Sequence, residues 1–171
     1  MGQTLRVVHF VNQFFGGLGG EEQANVPVTV RDGPVGPGRL LQQALGAEGA
    51  VVATLVGGDN YLTEQREAAL VTVGAALADL RPDVLVAGPA FDAGRYGVAC
   101  GEVCQLAGQL GIPAVTAMYP ENPGVPLYRR DVPIVPTAAN AAGMATARDS
   151  VCSPAAAMSE NAIGASTNMK A

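Results

Sequence analysis

Asp83-Val84-Leu85-Val86-Ala87-Gly88-Pro89-Ala90-Phe91-Asp92-Ala93-Gly94-Arg95-Tyr96-Gly97 passes from a short apolar run, through a Gly/Pro turn, into the opening of a helix. A β-branched run without polar alternation suits a strand covered on both faces, as in a parallel sheet. The same order recurs on either side of it. Ala50-Val51-Val52-Ala53-Thr54-Leu55-Val56 runs into Gly57-Gly58-Asp59-Asn60, and Ile112-Pro113-Ala114-Val115-Thr116-Ala117-Met118 into Tyr119-Pro120-Glu121-Asn122-Pro123-Gly124. Leu5-Arg6-Val7-Val8-His9-Phe10-Val11 opens the series, and Val132-Pro133-Ile134-Val135 reads as a weaker strand at or near an edge.

Helical stretches separate these strands. Pro37 to Gly46 has Pro near its start and Gly just past its end, the asymmetry expected of a short helix. Leu62 to Leu80 carries Leu70, Val73, Leu77 and Leu80 on one stripe, with Glu64 in the first turn, Arg81 at the end and Pro82 as the stop. A third helix is expected over Val98 to Leu110, ending at Gly111. Strands joined by such helices imply right-handed crossovers and a Rossmann-like α/β fold, a mostly parallel sheet of about five strands. Asn12 to Gly36 reads as a long connection, and long connections are disproportionately functional. An Ala-rich stretch from Ala138 suits a helix through Ala147. Residues 1–147 therefore read as one domain, and 148–171, without periodicity, as a disordered or non-homologous tail.

Composition narrows the function. The 171 residues are 49% hydrophobic but 5% aromatic with 22 Gly, which lets helices approach a sheet closely. Net charge is −5 with no Lys/Arg cluster, so a nucleic-acid partner and an anionic membrane surface are both excluded as expectations. No apolar run reaches the roughly 18 residues a span needs. Three Cys and no secretion signal at the N-terminus point to a cytoplasmic location.

Loops after parallel strands share one sheet edge, where ligands bind. Glycine there lets backbone approach a ligand, and polar side chains give directional contacts. The residues expected to line a substrate pocket are Gly57, Gly58, Asp59, Asn60, Gly88, Arg95, Tyr96, Glu121 and Asn122. Arg95, at a helix start, suits a carboxylate, although it could equally be solvated in an ordinary βα turn. Asp59 and Asn60 could instead cap the next helix. Gly16-Gly17-Leu18-Gly19-Gly20 lacks both the GxGxxG spacing and a Walker lysine, and Glu21-Glu22 would repel a phosphate. Those acids could meet an ammonium group or simply be solvated. Cys100 and Cys104 share a helix face with Val103 and Ala107, which favours packing over a redox pair or metal ligation. A lone His, His9 within a strand, leaves no Ser-His-Asp or Cys-His arrangement, so no catalytic residue is expected in this chain.

Several uncommon words occur in one order: Val11-Asn12-Gln13-Phe14-Phe15-Gly16-Gly17, Gly33-Pro34-Val35-Gly36-Pro37-Gly38, Gly58-Asp59-Asn60-Tyr61 and Ala87-Gly88-Pro89-Ala90-Phe91. Gly94-Arg95-Tyr96-Gly97-Val98-Ala99-Cys100-Gly101, Tyr119-Pro120-Glu121-Asn122-Pro123-Gly124-Val125 and Ala138-Ala139-Asn140-Ala141-Ala142-Gly143-Met144 continue them. Together, from about Leu5 to Ala147, they resemble the amino-terminal part of selenoprotein B of the glycine/sarcosine/betaine reductase family, related to D-proline reductase. The resemblance implies reductive cleavage of a carbon–nitrogen bond in a small zwitterionic amino acid or betaine. It further implies a selenocysteine nucleophile in the missing half and a pyruvoyl group on a partner subunit. Selenoprotein A would be a second partner, and thioredoxin-type dithiols the electron source. This chain has no selenocysteine and no Cys-x-x-Cys. The expectation is a pocket wall and subunit interface, inactive alone; the alternatives are a non-catalytic binding or assembly module, or a truncated or frame-shifted product.

Overall fold

The computed structural model describes residues 2–143. The expected boundary at 147/148 and the tail beyond it lie outside the described residues. Six strands form one sheet in the order β2-β3-β1-β4-β5-β6: β1 Leu5–Asn12, β2 Thr29–Asp32, β3 Gly49–Gly57, β4 Val84–Ala87, β5 Ala114–Met118 and β6 Ile134–Pro136. All neighbours pair parallel except β2, which runs antiparallel to β3. The α/β architecture expected from the strand runs is present, with the weak run after Val132 at the edge.

The strand count differs by β2, inside the segment read as a long connection. All four of its residues are exposed and carry no apolar alternation. Its place comes from backbone pairing with β3, Thr29 opposite Val56 through Asp32 opposite Ala53, which side-chain pattern does not encode.

The helices are α1 Gly38–Leu45, α2 Asp59–Glu64, α3 Arg66–Leu80, α4 Gly94–Gln109 and α5 Gly124–Tyr128. The single helix expected over Leu62 to Leu80 is two, α2 and α3, broken at Gln65 (φ −114°, ψ 39°). The cause is local: Asn60 and Tyr61 donate their amides to the Ala24 carbonyl, tying α2 to the preceding loop, while α3 must turn onto the sheet. Ala69, Val73 and Leu77 are the buried stripe of α3, with Leu80 partly buried beside it and Arg81 closing it in a left-handed conformation. Helix α4 begins four residues before the expected Val98, because its glycines are packing positions. A Cβ on Gly97 would come within 2.1 Å of Asn122, and one on Gly101 within 2.1 Å of the Tyr128 ring. These gaps seat α5, which starts at Gly124, the last residue of the loop read from sequence. Of the helix expected from Ala138, the described part holds a short 3-10 turn, Ala141–Gly143.

Two apolar layers sandwich the sheet. Val8, Phe10, Leu55 and Leu85 meet α2, α3 and α4 on one face, where full burial contributes about 1.5–3 kcal/mol per large side chain. On the other face Val7, Val51, Val86 and Val115 pack in the layer that contains Leu41 of α1. Cys100 and Cys104 are both fully buried, alongside Val103 and Ala107, as the packing reading expects. Among the described residues no helix is long and apolar enough to cross a membrane.

Candidate functional site

From β1 the chain moves to β3 on one side, and then crosses to β4 on the other. The loops after β1 and β4 therefore diverge and leave a crevice at the carboxyl ends of the strands, the place where open α/β sheets bind ligands. A cleft of about 380 Å³ lies there, within the size range of small-molecule sites. Its walls are Asn12 to Phe15 after β1, Gly20 and Glu21, Asp59 after β3, Ala90 to Ala93 after β4, and Ala139 to Ala141 after β6.

Asp59 is the organising residue. It opens α2 without capping it through its side chain, and only 7% of it is exposed. Its Oδ2 accepts from Asn12 Nδ2 at 3.0 Å and Gln13 Nε2 at 3.4 Å, and its backbone N–H donates to Gln13 Oε1 at 3.0 Å. Asn12 Oδ1 in turn accepts the Phe15 amide. Two residues from the end of β1 thus hold the carboxylate that follows β3 in place. Oδ1 is buried and finds no hydrogen-bond partner among the described residues. Burial pushes the Asp59 carboxyl above its ordinary value, against the pull of the Asn12 and Gln13 hydrogen bonds.

Arg95 sits at the rim, in the first turn of α4. Both Glu21 carboxylate oxygens accept from its Nη2 at 3.0 Å, and Asn60 Oδ1 accepts from Nη1. Two of the expected loops, Gly57 to Asn60 and Gly88 to Gly97, are thus joined to the connection after β1 by a surface fork, with Arg95 and Glu21 side chains 47% and 73% exposed. Such pairs contribute about 0–1 kcal/mol.

The other expected site residues are elsewhere. Tyr96 is wholly buried, with its ring 6.4 Å from that of Phe10 and 5.9 Å from that of Phe15. Asn122 is buried too, donating to the carbonyls of Phe91 and Ala93 and accepting the Gly124 amide, so it shapes the wall without lining it. Glu121 is exposed and outside the cleft. Gly57 and Gly58 serve chain packing: a Cβ on Gly58 would come within 2.1 Å of the Ala24 carbonyl oxygen. Gly88 turns with φ +92°, and its carbonyl accepts from His9 Nε2 at 2.6 Å.

Asn12, Gln13, Phe15 and Phe91 were not among the expected site residues. Their signal was available: Asn12 and Gln13 follow a central parallel strand, where the crevice must open. Among the described lining residues there is no Ser, Thr, Cys, His or Lys; the ionisable side chains there are the carboxylates of Glu21, Asp59 and Asp92. No group of three His, Cys, Asp or Glu among the described residues is placed to hold a metal ion.

A family model described as glycine/sarcosine/betaine reductase selenoprotein B matches residues 4–168. A glycine reductase complex component B subunit gamma from Symbiobacterium thermophilum is 54% identical over 144 residues, 84% of this chain and 34% of the relative. A sarcosine reductase complex component B subunit beta from Peptoclostridium acidaminophilum is 51% identical over 83% of this chain and 33% of its own. A betaine reductase complex component B subunit beta from the same organism is 39% identical, over 81% and 32% respectively. The chain spans about a third of the length of these relatives. No solved structure matches it.

Proposed function

The chain belongs to the glycine/sarcosine/betaine reductase selenoprotein B family, and from that premise we propose that its cleft is one wall of the substrate pocket of a component B reductase subunit. The observation that carries this reading is the buried Asp59 carboxylate, held by Asn12 and Gln13 at the switch point of the sheet. A small zwitterion needs such a fixed anion for its amine. Arg95 stands at the rim for the carboxylate end, where a ligand carboxylate would take the place that Glu21 holds.

Reductive cleavage of a carbon–nitrogen bond needs a redox-active nucleophile and electrons, and the described lining residues include no thiol. In this proposal selenocysteine and pyruvoyl chemistry belong to other parts of the assembly. This chain binds the substrate, orients it and excludes water around its amine. Other reductase subunits are the partners the family names imply.

A chimera tests it. Residues 4–143 replace the matching segment of the Symbiobacterium thermophilum component B subunit, and amine release from glycine, sarcosine and betaine is followed with a dithiol reductant. Turnover of at least one substrate, reduced about tenfold or more by Asp59→Asn, is the expected outcome for a lost charged hydrogen bond. An assembled, folded chimera that turns over none of the three would overturn the reading.

A further inference from the structure

The side of α3 turned away from the sheet is apolar where solvent favours charge. Residues 68–78 of this helix carry no charged side chain, although only Ala69, Val73 and Leu77 among them are buried. Ala68, Val71, Thr72, Ala75 and Ala78 are exposed, Val71 to 72%, and their spacing puts them on one stripe. Thr72, the one polar side chain of the stretch, donates its hydroxyl back to the Ala68 carbonyl at 3.1 Å. A helix that is apolar all round is one that is covered on both sides. Charge resumes at the two ends, with Arg66-Glu67 and Asp79, which gives the face the apolar centre and polar rim of an interface.

The apolar surface continues onto α4. A Cβ built on Gly74 would meet only Leu106, at 3.8 Å, and Leu110, one turn further on at the end of α4, is 50% exposed. Glycine inside a helix is a cost that no contact within the described residues requires here. It leaves a shallow seat between α3 and α4, where the axis of a further helix can approach closely.

The relatives carry the chain to fill it. The matched segment is 34% of the glycine reductase subunit and 33% of the sarcosine reductase subunit, so about two thirds of each lies outside it. We propose that the outer face of α3, with Leu110 beside it, is the seat on which that remaining part of a component B subunit packs. The proposal rests on membership of the family, not on the reading of the cleft as a substrate pocket.

The test is thiol labelling. Val71→Cys is made in the full 171-residue chain and in the full-length chimera, and maleimide modification of the introduced thiol is followed by peptide mass spectrometry. Fast labelling in the 171-residue chain is expected, and labelling about tenfold or more slower in the chimera. Ala75→Arg should restore fast labelling in the chimera and leave the circular dichroism of the 171-residue chain unchanged, because position 75 is exposed there. Equally fast labelling in the folded chimera would overturn the proposal. Protection in the 171-residue chain that grows with concentration, together with a doubled mass, would overturn it too and assign the face to a second copy. Labelling is read without turnover, so an inactive chimera with a protected α3 sinks only the proposed function. An active chimera with an unprotected α3 sinks only this interface.

Discussion

His9 illustrates how a single residue couples the core to the site. Its Nε2–H donates to the Gly88 carbonyl, fixing the turn that leads into the Ala90 to Ala93 wall, while Nδ1 lies buried near Gly38 without a partner among the described residues. Burial pushes the imidazole from its ordinary 6.5 down to about 4. The ring is therefore neutral in the fold, whereas the unfolded chain takes up a proton near 6.5. Stability from this group is complete above that pH and is lost as pH falls toward 4, by about 3 kcal/mol in all. Asp59 acts with the opposite sign: its raised carboxyl stabilises most below the ordinary 3.8, and that contribution is lost as pH rises. Urea unfolding of the parent and of His9→Gln, which keeps a donor for Gly88, should give a steeper fall between about pH 6.5 and about pH 4 in the parent. Equal slopes would show that the acid sensitivity arises elsewhere.

At the scale of elements, glycine has two contrasting uses. Gly58 lies where α2 crosses the loop before β2, and its absent Cβ lets the Ala24 carbonyl approach. Backbone cannot yield as a side chain does, so Gly58→Ala should cost on the order of 3 kcal/mol. Gly74, within α3, has only Leu106 at 3.8 Å from a built Cβ, so Gly74→Ala should gain about 0.5–1 kcal/mol from helix propensity. Thermal unfolding of both variants decides it; a neutral Gly58→Ala would mean that the crossing relaxes freely. The same contrast explains what could be read from sequence. The parallel strands were legible because β-branched runs end at glycine or proline, and Asp59 because it follows one. The Gln65 break was not, since Thr63-Glu64-Gln65-Arg66-Glu67 holds no glycine or proline to mark it. Tyr96 and Asn122 carry polar groups at the right loops, but one packs its ring in the core and the other spends its amide on backbone. No spacing rule separates those fates from ligand contact.

Over the whole molecule, Cys100 and Cys104 report cooperativity. Both thiols are buried in the layer that joins α3, α4 and the sheet, and burial raises their pKa values. In a chain with Cys152→Ser, an aromatic disulfide reagent should label them only at the rate of global unfolding, with the same urea dependence. Faster labelling would reveal α4 opening on its own.

The ties between α2 and the loop before β2 have a mechanical consequence for ligand entry. Gly58 donates to Val26, and Asn60 and Tyr61 donate to Ala24, so the segments bearing Asp59 and Glu21 are riveted together as one jaw. The opposing jaw, Phe91 to Ala93 with Ala139 to Ala141, is joined across its two segments by the Asp92 amide to the Ala139 carbonyl at 3.2 Å. Inward, the loop after β4 is anchored as well, by the Ala90 amide on the Ala117 carbonyl, the Tyr119 amide on the Phe91 carbonyl and the Asn122 side chain on the carbonyls of Phe91 and Ala93. Walls tied on both sides make the cleft a socket cast in advance rather than a hinge.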